Sequence, residues 1–314
     1  MFCSQLSFFN LFFGKGEKYN MNKVLGNKKA IALFALPAVI LFTCLVFIPL
    51  IWSFVYTFFS GQPGLDFKFN GFQNYFRIFT DKTLWVTVKN NLVYVICVGG
   101  MQIVLGFLIA MLINFGVKKH QNLVRSLLFI PVVLPGVAVA QMFIKMYAIT
   151  PQYGLLNSFF SAIGMDSLVK AWIGDPKTAM IALIIMDIWK AVGMYILVFY
   201  SGIIELPEDS VEAARIDGAT TWQIITKVQI PQLKPVFRMA IVICITACFK
   251  VYDSPVALTG GGPGTTTMMP SMYMYNTAFN YAQFGYGSVL AIIILAECVL
   301  FTFVIGRIFK TKEE

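Results

Sequence analysis

Charge, histidine and metal-binding cysteine patterns are what this sequence has least of. Only 12% of its 314 residues are charged while 58% are hydrophobic, more apolar side chain than one water-soluble core of this length can bury. The charges are missing in blocks: no Asp, Glu, Lys or Arg lies between Lys29 and Asp66, between Lys89 and Lys118, or between Asp253 and Glu297. Each gap can hold a bilayer span, which takes roughly 20 apolar residues at about 1.5 Å rise per residue. The single histidine, His120, sits in a basic turn, where a solvated role is expected. Of the six cysteines, Cys3 apart, Cys44, Cys97, Cys244, Cys248 and Cys298 fall in apolar segments and read as buried thiols. With no CxxC pair and no Cys/His cluster, no metal site is expected. No convergent set of carboxylates, His or a Ser/Lys nucleophile gathers at one membrane face, which argues against an integral-membrane transferase or hydrolase. The absence of internal repeats counts against an inverted-repeat secondary transporter.

Six apolar segments are present, at 30–54, 88–115, 126–147, 178–204, 236–258 and 287–308. Lipid offers no water to stray backbone groups, and the dyad alternation of a barrel is missing, so each span is expected to be a helix. The fold class is therefore all-α integral membrane with six transmembrane helices. The expected organisation is an N-terminal segment 1–29, a membrane domain 30–308 that includes a long loop 205–235, and a short tail 309–314. Residues 6–13 are apolar but too short to span, with no basic region before them and no small-residue cleavage pattern after them, so they do not read as a signal peptide. Met21, just before Lys23, Lys28 and Lys29, is as good a start as Met1, which makes residues 1–20 a candidate upstream extension.

Basic residues set the expected orientation. With both termini in the cytoplasm, 15 of the 24 Lys and Arg face inward, seven face outward, and Lys190 and Lys250 lie within spans. The net charge of +9 is then a matter of topology, helped by anionic lipid of the inner leaflet, and calls for no nucleic acid. Pro37 and Pro49 interrupt the first span, and Pro131, Pro135 and Gly136 the third. Such residues free backbone groups that a neighbour or a cavity must satisfy, as in proteins with a moving pathway, although simple kinks explain them equally well.

Ionisable groups inside spans are costly and are functional candidates by default. Asp187 and Lys190 are three apart, as are Lys250 and Asp253, so each pair is placed to neutralise itself on one helix face. Glu297 has no such neighbour. Trp189 and Tyr252 lie beside these charges, and an aromatic face joined to a few polar groups suits sugar recognition. The substrate-pathway candidates are therefore Asp187, Trp189, Lys190, Lys250, Tyr252, Asp253 and Glu297, with a purely structural ion-pair role as the alternative.

The most informative stretch runs over 205–235, reading ELPEDSVEAARIDGATTWQIITKVQIPQLKP. Glu208, Asp209 and Glu212 open a helix-favouring run, where negative charge suits a helix N-terminus, and Gly218 is a candidate helix stop. A second short helix over 220–228 is expected to end before Pro231. Exposed Glu212 and Asp217 stand beside small Ala213, Ala214 and Ala219, a surface that another protein can approach closely and pair with.

This loop resembles the signature of the permeases of ABC importers, in the branch that includes maltose, other oligosaccharide and glycerol-phosphate systems. The signature reads EAA, three residues, G, nine residues, I, one residue, LP. Glu212, Ala213, Ala214, Gly218 and Pro231 match, while Val228 stands for the Ile and Ile230 for the Leu, keeping aliphatic volume. Phe72, Asn74, Tyr75 and Phe76 resemble the family's segment before the second span, Asp187 to Lys190 its fourth span, Leu258 to Pro263 an outer loop, and Tyr286 with Gly287 the entry to the last span. The resemblance implies a type I importer permease fold in the bacterial cytoplasmic membrane, with the loop as a coupling helix docked on an ATPase. It implies as partners a second homologous permease, two cytoplasmic ATPases that hold ATP and Mg, and an external solute-binding protein. The chain itself is then no enzyme and carries no cofactor. The implied cargo is a sugar, a di- or oligosaccharide, with glycerol phosphate as the alternative. The run 260–267, GGGPGTTT, lacks the Lys-Ser/Thr of a phosphate-binding loop and reads as a flexible external turn.

Overall fold

The structure is a computed structural model that describes residues 28–117 and 119–309. Most of the expected segment 1–29, both candidate starts, and the tail from 310 lie outside the described residues. The chain divides into two units, residues 1–55 and 56–314, which are treated separately.

In the first unit, α1 (Ile31–Tyr56, its last residue in the second unit) has a mean hydropathy of 2.8 and no buried residue in its most apolar stretch. A helix apolar on all sides has lipid as its solvent. Pro37 lies inside it, and a wide turn at Thr43–Phe47 loosens the ladder one turn further on. Cys44 on this helix is exposed, whereas Cys244, Cys248 and Cys298 are buried and Cys97 is half-buried, so the expectation of buried thiols holds only where a span packs on protein.

The second unit begins with a two-residue antiparallel pair, β1 (Phe59–Ser60) and β2 (Lys68–Phe69), with Phe59 opposite Phe69. Then come α2 (Gln73–Thr80), α3 (Lys82–Gly116), α4 (Gln121–Val133), α5 (Gly136–Met146), α6 (Leu155–Ala162) and α7 (Ala179–Ile204). After them follow α8 (Glu208–Ile216), α9 (Thr221–Gln232), α10 (Lys234–Phe249), α11 (Asp253–Thr259), α12 (Pro270–Tyr275) and α13 (Phe284–Ile308). Among the described residues, four helices (α1, α3, α7 and α13) are long and apolar enough to cross a bilayer unbroken. Two bent pairs bring the number to six if each is counted as one span, α4 with α5 at 93° and α9 with α10 at 68°.

The expected third span at 126–147 is thus two helices. Leu134 is extended at φ −69° and ψ 139°. A residue before proline is pushed out of the helical region by the ring that follows, so Pro135 ends α4, and Gly136 starts a new axis. The expected fifth span at 236–258 is also broken: α10 stops at Phe249 and α11 restarts at Asp253. Lys250 and Asp253 consequently do not share a helix face, and their expected pairing at i, i+3 is corrected.

The core runs through α3, α5, α7, α10 and α11, with Ala110, Ile113, Ala140, Leu183, Met186, Ile196, Phe199, Ala240 and Cys244 buried. Small residues let these helices approach closely, which is how helices associate when lipid is as apolar as their side chains. At Gly193 on α7, an added Cβ falls inside the contact distance of the Leu128 carbonyl oxygen of α4. Gly193→Val is expected to part the two helices and destabilise the assembled protein by about 1–3 kcal/mol or more, the cost of overpacking. Thermal unfolding in detergent reads it, and an unchanged midpoint contradicts this packing.

Candidate functional site

The loop between α7 and α10 is folded. Pro207 precedes α8, Glu208 and Asp209 occupy its first turn and Arg215 its last, each charge matching the helix dipole. The helix closes on a left-handed residue: Gly218 has φ +77°, its amide donates to the Arg215 carbonyl at 3.0 Å, and the Ala219 amide donates to the Ala214 carbonyl at 2.9 Å. These two bonds form a Schellman motif, and the residue after the cap must then take a backbone conformation suited to glycine. A Cβ at Gly218 meets nothing within 4 Å. The position is therefore fixed by backbone geometry on one side and opens to free space on the other.

Thr220 starts α9 with a capping box. Its hydroxyl accepts from the Gln223 amide at 3.3 Å, and the Gln223 side chain accepts from the Thr220 amide at 2.8 Å. The helix does not end before Pro231, as expected from sequence, but runs on to Gln232. It widens into a π turn over Ile224–Gln229, which makes room for a proline that would otherwise clash with the preceding turn. Val228 and Ile230 are half-buried in this stretch, Pro231 is exposed, and Leu233 at the bend is fully buried.

Of the acidic and small residues singled out in the sequence, Glu212, Ala213, Asp217 and Gly218 are exposed, while Ala214 and Ala219 are half-buried. Two residues passed over in the sequence belong with them: Ile216, 86% exposed, and Trp222, 72% exposed, on either side of the glycine turn. Sequence alone does not separate them from Leu206, Val211, Ile224, Ile225, Val228 and Ile230 of the same loop, which are half-buried or buried; their place beside the glycine turn is what leaves them outside. Beneath α8, Glu208, Glu212 and Arg215 join Asn114, Phe115, Ile203 and Gln229 around a concavity of about 350 Å³.

Within the bundle, Asp187 on α7 is buried, but Lys190 is not its hydrogen-bonding partner. The carboxylate accepts from the Ser254 hydroxyl at 2.6 Å and the Tyr94 hydroxyl at 2.8 Å. The Asp187 carbonyl accepts from the Gln102 side chain at 2.9 Å, and Asn91 donates to the Cys248 carbonyl at 3.1 Å. One carboxylate thereby ties α3, α7 and the start of α11. Tyr94 and Ser254 carry no local sequence signal, since their partner lies 93 and 67 residues away. The Lys190 ammonium instead lies by Gly136 at the bend between α4 and α5, where an added Cβ would be 2.8 Å from it.

The other pathway candidates are dispersed. Trp189 packs on Phe143 of α5, ring centroids 5.5 Å apart. Lys250 and Tyr252 line a separate concavity of about 330 Å³ with Ser271, Met274, Tyr275 and Ile294. Asp253 is exposed at the first turn of α11. Glu297 is half-buried, and its Oε2 has no hydrogen-bond partner among the described residues. Tyr275, missed in the sequence, stacks toward Tyr252 at 5.4 Å and Phe279 at 5.0 Å. The 260–267 run is a tied turn rather than a flexible one: Thr267 is buried and bonds Thr259 and the Gly262 carbonyl, and Asn90 donates to the Thr265 and Met268 carbonyls.

A third cluster sits just ahead of α3, at the end of the bundle opposite α8. The Asp81 carboxylate caps α3 through the Thr83 and Leu84 amides and accepts from the Tyr273 and Tyr286 hydroxyls, both at 2.6 Å. Burial acts to raise its pKa, but the two tyrosines and the two amides together outweigh it and hold the carboxyl below the usual aspartate value. Burial first, and then the bond to Asp81, push Tyr273 up to about 12.

The geometry is that of a polytopic membrane protein in which the structured loop between α7 and α10 exposes a helix end, two apolar side chains and carboxylates. The chain belongs to the family described as binding-protein-dependent transport system inner membrane component, which matches residues 102–312. It is 32% identical to the probable ABC transporter permease protein YurN of Bacillus subtilis (strain 168), over 94% of this chain and 99% of that protein. It is also 32% identical to the multiple sugar-binding transport system permease protein MsmF of Streptococcus mutans serotype c (strain ATCC 700610 / UA159), over 83% of this chain and 88% of that one. In fold it is similar to a chain of a bacterial ABC transporter involved in the import of the acidic polysaccharide alginate, at TM-score 0.77 and 22% identity, over 94% of this chain and 99% of that chain. The architecture is that of a type I importer permease.

Two outcomes follow. Asp187→Ala leaves the buried Tyr94 and Ser254 hydroxyls without their acceptor, at about 1–3 kcal/mol each, whereas Asp187→Asn keeps an acceptor oxygen and loses less. Melting of the purified assembly ranks the two, and equal midpoints exclude a hub role. Because the folded pKa of Asp81 lies below its unfolded value, its stabilisation is complete above the unfolded pKa of about 3.9 and is lost as pH falls through the folded one. The stability difference between the parent and Asp81→Asn is expected to stay constant from neutral to mildly acidic pH and shrink below about pH 4. A difference that instead changes near neutrality contradicts this assignment.

Proposed function

We propose that this chain is the membrane-spanning permease subunit of an ATP-driven importer that carries a sugar, a di- or oligosaccharide, delivered by an external solute-binding protein. Its setting is the bacterial cytoplasmic membrane, with both termini in the cytoplasm, so that α8 and α9 face inward. It works beside a second homologous permease and two ATPase subunits. ATP and Mg are held by those subunits, and this chain performs no hydrolysis.

The observation that carries the reading is the α8 turn. A helix end locked by two backbone bonds transmits force without bending, and Glu212, Asp217, Ile216 and Trp222 around it give an ATPase both charge and apolar area to grip. Closure of the ATPase pair pushes α8, and α9 passes the movement across the 68° bend into α10. Lys250, Tyr252 and Tyr275 lie beyond the far end of α10 from that bend. The aromatic faces of Tyr252, Tyr275 and Phe279 suit stacking on sugar rings. Lys250, the one charged residue lining that concavity, can donate hydrogen bonds to sugar hydroxyls. The relatives whose names specify sugar transport support the same cargo class.

Reconstitution with ATPases and binding protein in proteoliposomes tests this. Gly218→Trp places bulk in the open space facing the ATPase and is expected to lower uptake and solute-stimulated ATP hydrolysis together by about tenfold or more, equivalent to about 1.4 kcal/mol lost at the docking surface. Gly218→Ala adds only the backbone strain of a left-handed residue, about 1 kcal/mol, and is expected to retain most activity. Undiminished uptake by a fully assembled Gly218→Trp transporter would sink the coupling assignment.

A further inference from the structure

The short helix α2 is built inside out for a protein in water. At 100° per residue, its side chains fall into three sectors. Asn74, Tyr75 and Ile78 turn toward the protein: the Asn74 side chain donates to the Thr57 and Phe59 carbonyls at 2.8 and 2.7 Å, the Tyr75 hydroxyl donates to Thr57 at 2.8 Å, and Ile78 packs against the Leu84 and Tyr286 cluster. Gln73, Arg77 and Thr80 form a polar exposed sector, where Arg77 donates to Gln283 at 2.7 Å and lies over the Tyr286 ring. The third sector holds Phe76 and Phe79 together with Phe72 of the preceding cap, at spacing i, i+4 and i+7, and these are 69%, 77% and 63% exposed. The asparagine that would ordinarily face water is the buried residue of this helix, and three phenylalanines face out.

We propose that α2 lies in the plane of the membrane interface, with Phe72, Phe76 and Phe79 inserted among the lipid acyl chains at the headgroup boundary. The occupant of the phenylalanine face is argued from continuity. Only Asp81 separates α2 from the membrane-spanning α3. The exposed indole of Trp85, in the first turn of α3, donates to the Ile78 carbonyl of α2 at 3.1 Å. From Trp85 that side passes exposed Lys89, a charge that can reach up to the headgroups, and is apolar from Leu92 and Ile96 into the span. An indole with one end wet and the other apolar marks the interface level, so the end of α2 is held at that depth. A helix with one apolar sector and one polar sector, held there, lies flat with the apolar sector in lipid. Its fixed protein-facing sector makes it a float rigidly attached to the bundle, one that opposes sinking or rising of α3.

The inference rests on α3 being a membrane span and not on the cargo, so it stands or falls apart from any transport assay. The assembled transporter is placed in lipid nanodiscs as the parent, as Phe76→Trp and, separately, as Phe79→Trp, and the emission added by the new indole is taken by difference. The expected result is blue-shifted added emission, most of it lost with lipids brominated close to the ester end of the chain and less with lipids brominated near the terminal methyl, unchanged on adding liganded binding protein. Red-shifted emission that neither lipid quenches places the face in water and overturns the proposal. Blue-shifted emission that neither quenches overturns it in favour of a protein cover, and quenching relieved by the binding protein overturns it in favour of a docking face.

Discussion

Inside hydrocarbon a polar atom has no water to fall back on, and the architecture of this bundle is arranged around one group for which that constraint is severe. Asp187 is a carboxylate in the middle of α7, buried with only a few per cent of its surface exposed. Its oxygens are satisfied by hydroxyls from two other helices, Tyr94 of α3 and Ser254 of α11. An unsatisfied group at such a site costs far more than its bonds gain. The three helices are therefore held in one mutual register: sliding any of them by a turn strands the carboxylate. Apolar packing alone cannot specify register so sharply, because lipid and leucine are equivalent partners for an apolar side chain.

The same constraint explains where the helices break. Backbone groups freed near Pro135 and at residues 250–252 are answered by local bonds: the Leu134 amide donates to the Pro131 carbonyl at 3.3 Å, and the Lys250 and Val251 amides donate to the Ala247 and Cys248 carbonyls at 3.2 and 3.3 Å. Ser254 sits in the first turn after the second break, so the Asp187 network also holds the restart of the interrupted fifth span. Lys190, three residues along α7, reaches the first break at Gly136. One face of α7 thus serves both discontinuities with opposite charges, which accounts for why the two residues need not pair with each other.

The spans and the loop were legible in the sequence for a simple reason: lipid solvation writes itself into long charge-free runs, and helix ends write themselves into caps. The 205–235 loop was readable as helix, glycine turn and helix because Glu208, Gly218 and Thr220 are local signals, each acting within a few residues. Hubs formed at long range were not legible. Tyr94 and Ser254 look like any tyrosine and serine in apolar surroundings until the fold brings them to Asp187. The pairing of Lys250 with Asp253 failed because spacing presumes a continuous helix, and nothing local announces that α10 ends at Phe249. Pro231 misled in the other direction: a proline normally stops a helix, but the π turn before it removes the clash that would have done so.

These features divide the molecule mechanically. At one end, Asp81 fastens α3 to α12 and α13 through Tyr273 and Tyr286, with α2 fixed alongside by Asn74 and Arg77. In the middle, Asp187 sets the register of α3, α7 and α11. At the other end, the α8 turn is stiff, but its link to α10 passes through a π turn, whose hydrogen bonding is weaker than that of an α-helix, and a sharp bend at Leu233. A push on α8 therefore meets its compliance at one place, the α9 to α10 junction, and a rigid body beyond it. Under the proposed coupling role, that order of stiffness, rigid lever, soft joint, rigid bundle, would let a small displacement at the loop turn α10 without unravelling the polar network that the bilayer makes so costly to disturb.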